Sequence, residues 1–161
     1  MPDIPARPPL HHPAILLATW FGSGYLPKMP GTWGSLAALP VGWVIHQHWG
    51  VLGLVAASLV VFGAGVWASN VYIAMTDQDD PGPVVVDEVA GQWLTLLVAT
   101  PSLLDYGLAF VLFRAADIAK PWPVSWADRQ VKGGLGVMLD DVLAAGYAAL
   151  ALYLLKMLIG D

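Results

Sequence analysis

The chain has 161 residues, of which 57% are hydrophobic and 12% charged, and a formal net charge of −5. That length fits one domain, the charged fraction is about half that of soluble domains, and a mean hydropathy of +0.64 points to a membrane-embedded protein. The absence of cysteine excludes disulfides, a thiolate nucleophile and Cys-ligated zinc, and the net negative charge argues against a nucleic-acid partner.

In chain order, residues 1–13 (MPDIPARPPLHHP) are proline-rich and polar and read as a flexible lead-in. Residues 14–161 then form a single membrane-embedded domain. Residues 14–21 are a short apolar segment, followed by the Gly/Pro-rich loop GSGYLPKMPGTWGS at 22–35. Thr32 or Ser35 is placed to cap the next helix. Residues 36–46 are apolar but interrupted by Pro40 and Gly42, and 47–50 make a polar turn. Residues 51–69 carry no charge and approach the roughly 20 apolar residues of a spanning helix. The two pieces predict a helical hairpin.

A second loop, 70–86, holds Asp77, Asp79 and Asp80. Only its triplet 84–86 looks strand-like, and it is too short to matter. Asp87 opens a helix running to about Ala99, which Pro101 and Ser102 break. Residues 103–118 are helical, 121–136 form a third polar loop, and Asp140 or Asp141 opens the last helix. That helix is apolar through residue 159 except for Lys156, which can snorkel to an interface. The expected fold class is all-α, a compact membrane-embedded helical bundle.

The charges are concentrated. Nine of the twelve acids fall within 77–88 or 117–141, and four of the seven bases within 114–132. Residues 89–113 could cross the membrane once, or bend at Pro101 into a hairpin of two half-helices. A single crossing strands the acids of 77–88 on the opposite side. The hairpin gathers all three polar loops at one membrane face, where opposite charges neutralise one another beside the low-dielectric slab. Basic loops prefer the cytoplasm, so Arg114, Lys120, Arg129 and Lys132 orient that face.

Asp87–Glu88 and Asp140–Asp141 are adjacent pairs, each expected at a helix start. Negative charge is favourable there, and capping accounts for one acid of each pair. Neighbouring helical residues point about 100° apart, so the members of a pair divide their tasks. Acids without cysteine suit a hard cation such as magnesium. His11 and His12 fall in the lead-in, and His46 and His48 at the far turn read as solvated or interfacial, so zinc is not expected. Within FRAADIAKPWPVSWADRQVKGGLGVMLDD (113–141), Arg114, Lys120, Arg129 and Lys132 offer a phosphate-binding floor. Arg114–Asp117 and Asp117–Lys120 also stand at ion-pair spacing. Gly133, Gly134 and Gly136 let backbone N–H groups come close to an anion. There is no Cys-x5-Arg loop, no Asp-x-Asp nucleophile motif and no histidine in the polar loops. That favours metal-activated water as nucleophile, with an aspartyl intermediate as runner-up.

FGSGYLPKMPGTWGSL (21–36), DPGPVVVDEVAGQW (80–93) and FRAADIAKPWPVSWADRQVKGGLGVMLDDVLAAG (113–146) together resemble the phosphatidylglycerophosphatase A family of bacterial membrane lipid phosphatases. The resemblance implies magnesium-dependent hydrolysis of phosphatidylglycerol phosphate to phosphatidylglycerol and inorganic phosphate, at the cytoplasmic face of the inner membrane. It implies an all-helical fold shared with small soluble relatives. It also places Asp87, Glu88, Asp117, Asp128, Asp140 and Asp141 on metal or catalytic positions, the metal set being drawn from Asp87, Glu88, Asp140 and Asp141. Thr32, Arg114, Lys120 and Arg129 fall on phosphate contacts. Lys132 stands where many relatives carry histidine, and is read as a further phosphate contact. The rival reading is a small ion or metal transporter using the same acids as a cation pathway, for which acids belong near the middle of spans.

Overall fold

The computed structural model describes residues 7–160; residues 1–6 of the expected lead-in lie outside them. The described residues form six α-helices and no strand: α1 (Pro13–Ala18), α2 (Pro30–Thr76), α3 (Val86–Thr95), α4 (Leu103–Ala119), α5 (Val124–Gln130) and α6 (Gly133–Ile159). Ahead of α1, the Pro8 carbonyl accepts a hydrogen bond from the Tyr25 hydroxyl, and the Arg7 guanidinium lies 5.3 Å over the same ring.

α2 is two helices in one. Gly50 leaves helical geometry with φ 63° and ψ −158°. A Cβ added to Gly34 would press on Val85, and one added to Gly65 would touch Val86. In a straight helix those glycines would be about 46 Å apart, whereas Val85 and Val86 are neighbours. The chain therefore folds back at Gly50 into two arms, 30–49 and 51–76, as the polar turn predicts.

Three details differ from expectation. The first arm starts at Pro30, whose missing N–H costs nothing at the first helical position, so Thr32 and Ser35 lie inside the helix and cap nothing. The arm runs on through Pro40 and Gly42, because α3 packs there: Trp93 Nε1 donates to the Ala38 carbonyl at 2.9 Å, and Trp93 and Leu96 press on Gly42. The second arm continues to Thr76, whose hydroxyl bonds back to the Tyr72 carbonyl.

α3 is the centre of the bundle. At ten residues, about 15 Å, it is too short to cross a membrane, and Val86, Val89, Ala90, Gly91, Gln92, Trp93 and Thr95 are all buried. After a 3₁₀ turn at Leu96–Val98, α4 starts behind the Ser102 hydroxyl cap and runs back antiparallel. Glu88 thus meets Arg114, and Phe113 presses on Gly91. The hairpin reading of 89–113 is the one observed. The third polar loop contains a short helix of its own, α5, with Val124 and Ala127 buried.

α6 begins at Gly133, seven residues before Asp140, so the Asp140–Asp141 pair is not at a helix start. The start is set by a distant residue: Asn70 Oδ1 accepts the Gly134 N–H at 2.7 Å. Gly134 also lies against the Val66 carbonyl, and Met138 against Gly65. Small residues that admit close backbone approach are the usual means of helix association in lipid.

α2 and α6 are long and apolar enough to cross a membrane, and only 28% of the most apolar window of each is buried within the bundle. These largely uncovered apolar helices fit a membrane protein, with its polar loops at one end and the Gly50 turn at the other. That far end corrects two expectations. His46 is buried and its Nδ1 lies 3.1 Å from the Tyr106 hydroxyl. Lys156 is buried too, with Nζ 2.5 Å from Asp105 Oδ2. Both partners come from α4, so neither side chain reaches for an interface.

Candidate active site

Val84, Val85 and Val86 are buried, and the Val85 N–H donates to the Ala18 carbonyl at 2.8 Å. This fixes the start of α3 against α1 and puts Asp87 and Glu88 in its first turn. The third turn of α6 brings in Asp141. Carboxylate oxygens of Asp87, Glu88 and Asp141 lie within 4.8 Å of one another. One oxygen of each, Asp87 Oδ1, Glu88 Oε2 and Asp141 Oδ2, is buried without a hydrogen-bond partner.

Orphaned buried polar atoms cost about 1–3 kcal/mol each, more when charged, and three like charges add repulsion. Burial pushes the Asp87 carboxyl well above the ordinary range, and the Glu88 and Asp141 charges push it further. Burial also raises Glu88, against the opposing pull of Arg114. A divalent cation removes all of these costs together. The all-oxygen donor set fits a hard ion such as magnesium, so Asp87, Glu88 and Asp141 are the residues that could hold one.

Asp140 turns the other way, as adjacent helical residues must. Its Oδ2 accepts from Lys120 Nζ at 3.1 Å, and its Oδ1 accepts the Asp141 N–H at 3.0 Å. Lys120 also bonds Asp128. Burial works against the lysine charge, but Asp128 and Asp140 hold its pKa above the usual value. Lys120 ends α4 in a left-handed conformation with φ 45°, which turns it off the helix face shared with Asp117. The expected Asp117–Lys120 pair is therefore replaced by these two. Arg114 makes its expected bond to Asp117 and reaches Glu88 at 3.7 Å, while its Nε has no partner.

These groups line a cavity of about 300 Å³ that contains Gly31, Asp87, Glu88, Arg114, Asp117, Lys120, Asp140 and Asp141. A smaller pocket of about 50 Å³ shares Asp80, Asp87 and Asp140 with it and adds Asp128, Lys132 and Gly133. Three of the expected phosphate contacts sit elsewhere. Thr32 is half-buried in the first turn of α2, next to Gly31. Arg129 is exposed, with Nε bonded to the Ser125 carbonyl. The Gly134 N–H is already given to Asn70, so Gly134 serves helix packing.

One residue of the cavity and one beneath it are not among the expected site residues. A Cβ at Gly31 would overlap Glu88 Oε1 and stand 2.9 Å from Arg114 Nη1, so a bare glycine makes room for that pair. Gln92 is fully buried, with neither amide atom bonded, one helical turn below Glu88 on the same face. Its signal was visible: it is the lone amide in the apolar run VAGQWL.

Comparison with known proteins adds the family. The family model described as Phosphatidylglycerophosphatase A matches residues 16–156. A protein of that name from Escherichia coli strain K12 is 38% identical over 150 residues, covering 92% of this chain and 86% of that one. Another from Haemophilus influenzae is 38% identical over 149 residues, 91% of each. A Bacteroides thetaiotaomicron protein, named provisionally as a phosphatidylinositol-3-phosphatase, is 39% identical over 91% of this chain and 95% of its own. No solved structure matches the chain significantly. On the match to the family model and its reach along the named relatives, the chain belongs to the phosphatidylglycerophosphatase A family.

Proposed function

We propose that this enzyme, a membrane phosphatase of phosphoric monoesters, hydrolyses phosphatidylglycerol phosphate to phosphatidylglycerol and inorganic phosphate. In this reading the reaction depends on magnesium and takes place at the cytoplasmic face of a bacterial inner membrane. The single observation that carries the metal site is the buried trio Asp87, Glu88 and Asp141, each with an unpartnered oxygen, beside Arg114 and Lys120. When bound, magnesium supplies charge neutralisation at the phosphate and lowers the pKa of a water.

The chain's own residues do the rest. Asp87, Glu88 and Asp141 would hold the cation. Arg114, clamped by Glu88 and Asp117, presents its remaining donors to the phosphate oxygens. Lys120, fixed between Asp128 and Asp140, is a stationary positive charge on the cavity wall. Asp117 takes a proton from the water that attacks phosphorus, the ester P–O bond breaks, and the departing glycerol oxygen collects a proton from solvent. Positioning and charge stabilisation of this kind supply most of the catalysis of phosphoryl transfer.

The transporter reading is not favoured. The acids gather at one end of the bundle, and the polar pair described at the other end, Asp105 and Lys156, is closed on itself. The test is phosphate release from phosphatidylglycerol phosphate by the purified protein in detergent, with and without magnesium. Release that needs magnesium is expected. Absence of magnesium-dependent release refutes the proposal.

A further inference from the structure

Two large apolar side chains on the cavity wall are exposed, Met29 by 59% and Ile118 by 60%. Met29 precedes α2, and Ile118 lies near the end of α4. The cavity is also walled by Asp80, Pro81 and Gly82, in a loop that carries Asp77 and Asp79. An anionic head group is repelled by those acids. Beside Ile118 it meets Arg114, one turn earlier on α4, and Lys120.

Ile118 also ends a stripe. Leu104, Val111 and Ile118 recur every seven residues and are 66%, 60% and 60% exposed. Gly107 and Ala115 lie between them on the same face, both exposed, with open space over Gly107. Seven residues is close to two turns, so large and small side chains alternate along one line. The result is a furrowed apolar track about 21 Å long, running from the far end of α4 to the rim of the cavity.

We propose that the outer face of α4 from Leu104 to Ile118, with Met29 across the mouth, receives an acyl chain of the lipid phosphate, so that the substrate reaches the cavity sideways from the bilayer. This rests on the lipid phosphatase reading above. Ile118 and Met29 guide the chain past the rim, and Arg114 meets the phosphate at the end of the track.

The test compares kcat/KM for diacyl phosphatidylglycerol phosphate in neutral-detergent micelles with that for the same head group stripped of both chains. The ratio of the two does not depend on the folded fraction of a preparation. Ile118→Asn and Met29→Asn are expected to lower that ratio at least about tenfold, the scale of a few methylene contacts in a pocket. Val60→Asn, at a position 70% exposed on the second arm of α2, is expected to change it less than about twofold. Equal ratios in all three variants overturn the track and leave that face to bulk lipid or a second copy of the chain. No release from either substrate by the wild type overturns the phosphatase reading, and the track with it.

Discussion

Gly31→Ala separates the fold of this protein from its chemistry. Gly31 lies in the first arm of α2, where alanine is favoured over glycine by roughly 0.5–1 kcal/mol. The added Cβ would overlap Glu88 Oε1, stand 3.0 Å from Glu88 Cδ and 2.9 Å from Arg114 Nη1. No backbone atom is among those neighbours, so the strain falls on two side-chain tips and not on helix packing. Glu88 must shift by about 1 Å, and Arg114 with it. A misplacement of that size costs about 10²-fold in rate, or about 2.7 kcal/mol of transition-state stabilisation. The G31A protein is thus expected to unfold at the wild-type temperature or slightly above, while phosphate release falls about a hundredfold. Thermal unfolding and steady-state phosphate release on one preparation provide both readings. Release within about threefold of wild type from an equally stable protein would show that the Glu88–Arg114 position is not what the reaction needs.

Asp87→Asn and Asp141→Asn are each expected to lower phosphate release at least about 10²-fold; wild-type rates in both would remove the carboxylate trio from the mechanism. The trio also predicts a pH signature. Burial and neighbouring charge hold Asp87 and Glu88 above the ordinary carboxylate range, so the folded chain binds more protons there than the unfolded one. Without a divalent cation, stability should therefore fall as pH rises above the ordinary carboxylate pKa of about 4. Magnesium binds the deprotonated form, so its stabilisation should grow with pH; thermal unfolding between about pH 5 and 8 checks this, and a magnesium effect that shrinks over that range refutes it. At the far end, Asp105→Ala removes the carboxylate that bonds Lys156 and both the N–H and hydroxyl of Thr100. Breaking a buried pair costs about 3–5 kcal/mol, so this variant should melt earlier while the surviving folded protein keeps its catalytic rate; loss of rate without loss of stability would contradict the assignment.

Which parts of this molecule were legible in its sequence follows from how local their causes are. The hairpin of α2, the α3–α4 hairpin and the meeting of three polar loops all follow from one demand, that few charges in apolar sequence must find each other. The start of α6 did not follow, because Gly133–Gly134 reads as a loop until Asn70, on another helix, accepts the Gly134 N–H. Asp140 and Asp141 consequently looked like caps, when they are buried two turns into a helix. His46 and Lys156 looked interfacial for the same reason, since Tyr106 and Asp105 reach them only in the folded bundle. The true start of α6 also bears on function. Two carboxylates at a helix N-terminus need no ligand, because the helix end itself stabilises them. Two carboxylates inside a helix have no such support, and each is stabilised by a cation or a proton. Asp140 has Lys120. Asp141 faces Asp87 and Glu88 with an unpartnered oxygen, which supports the proposed magnesium site.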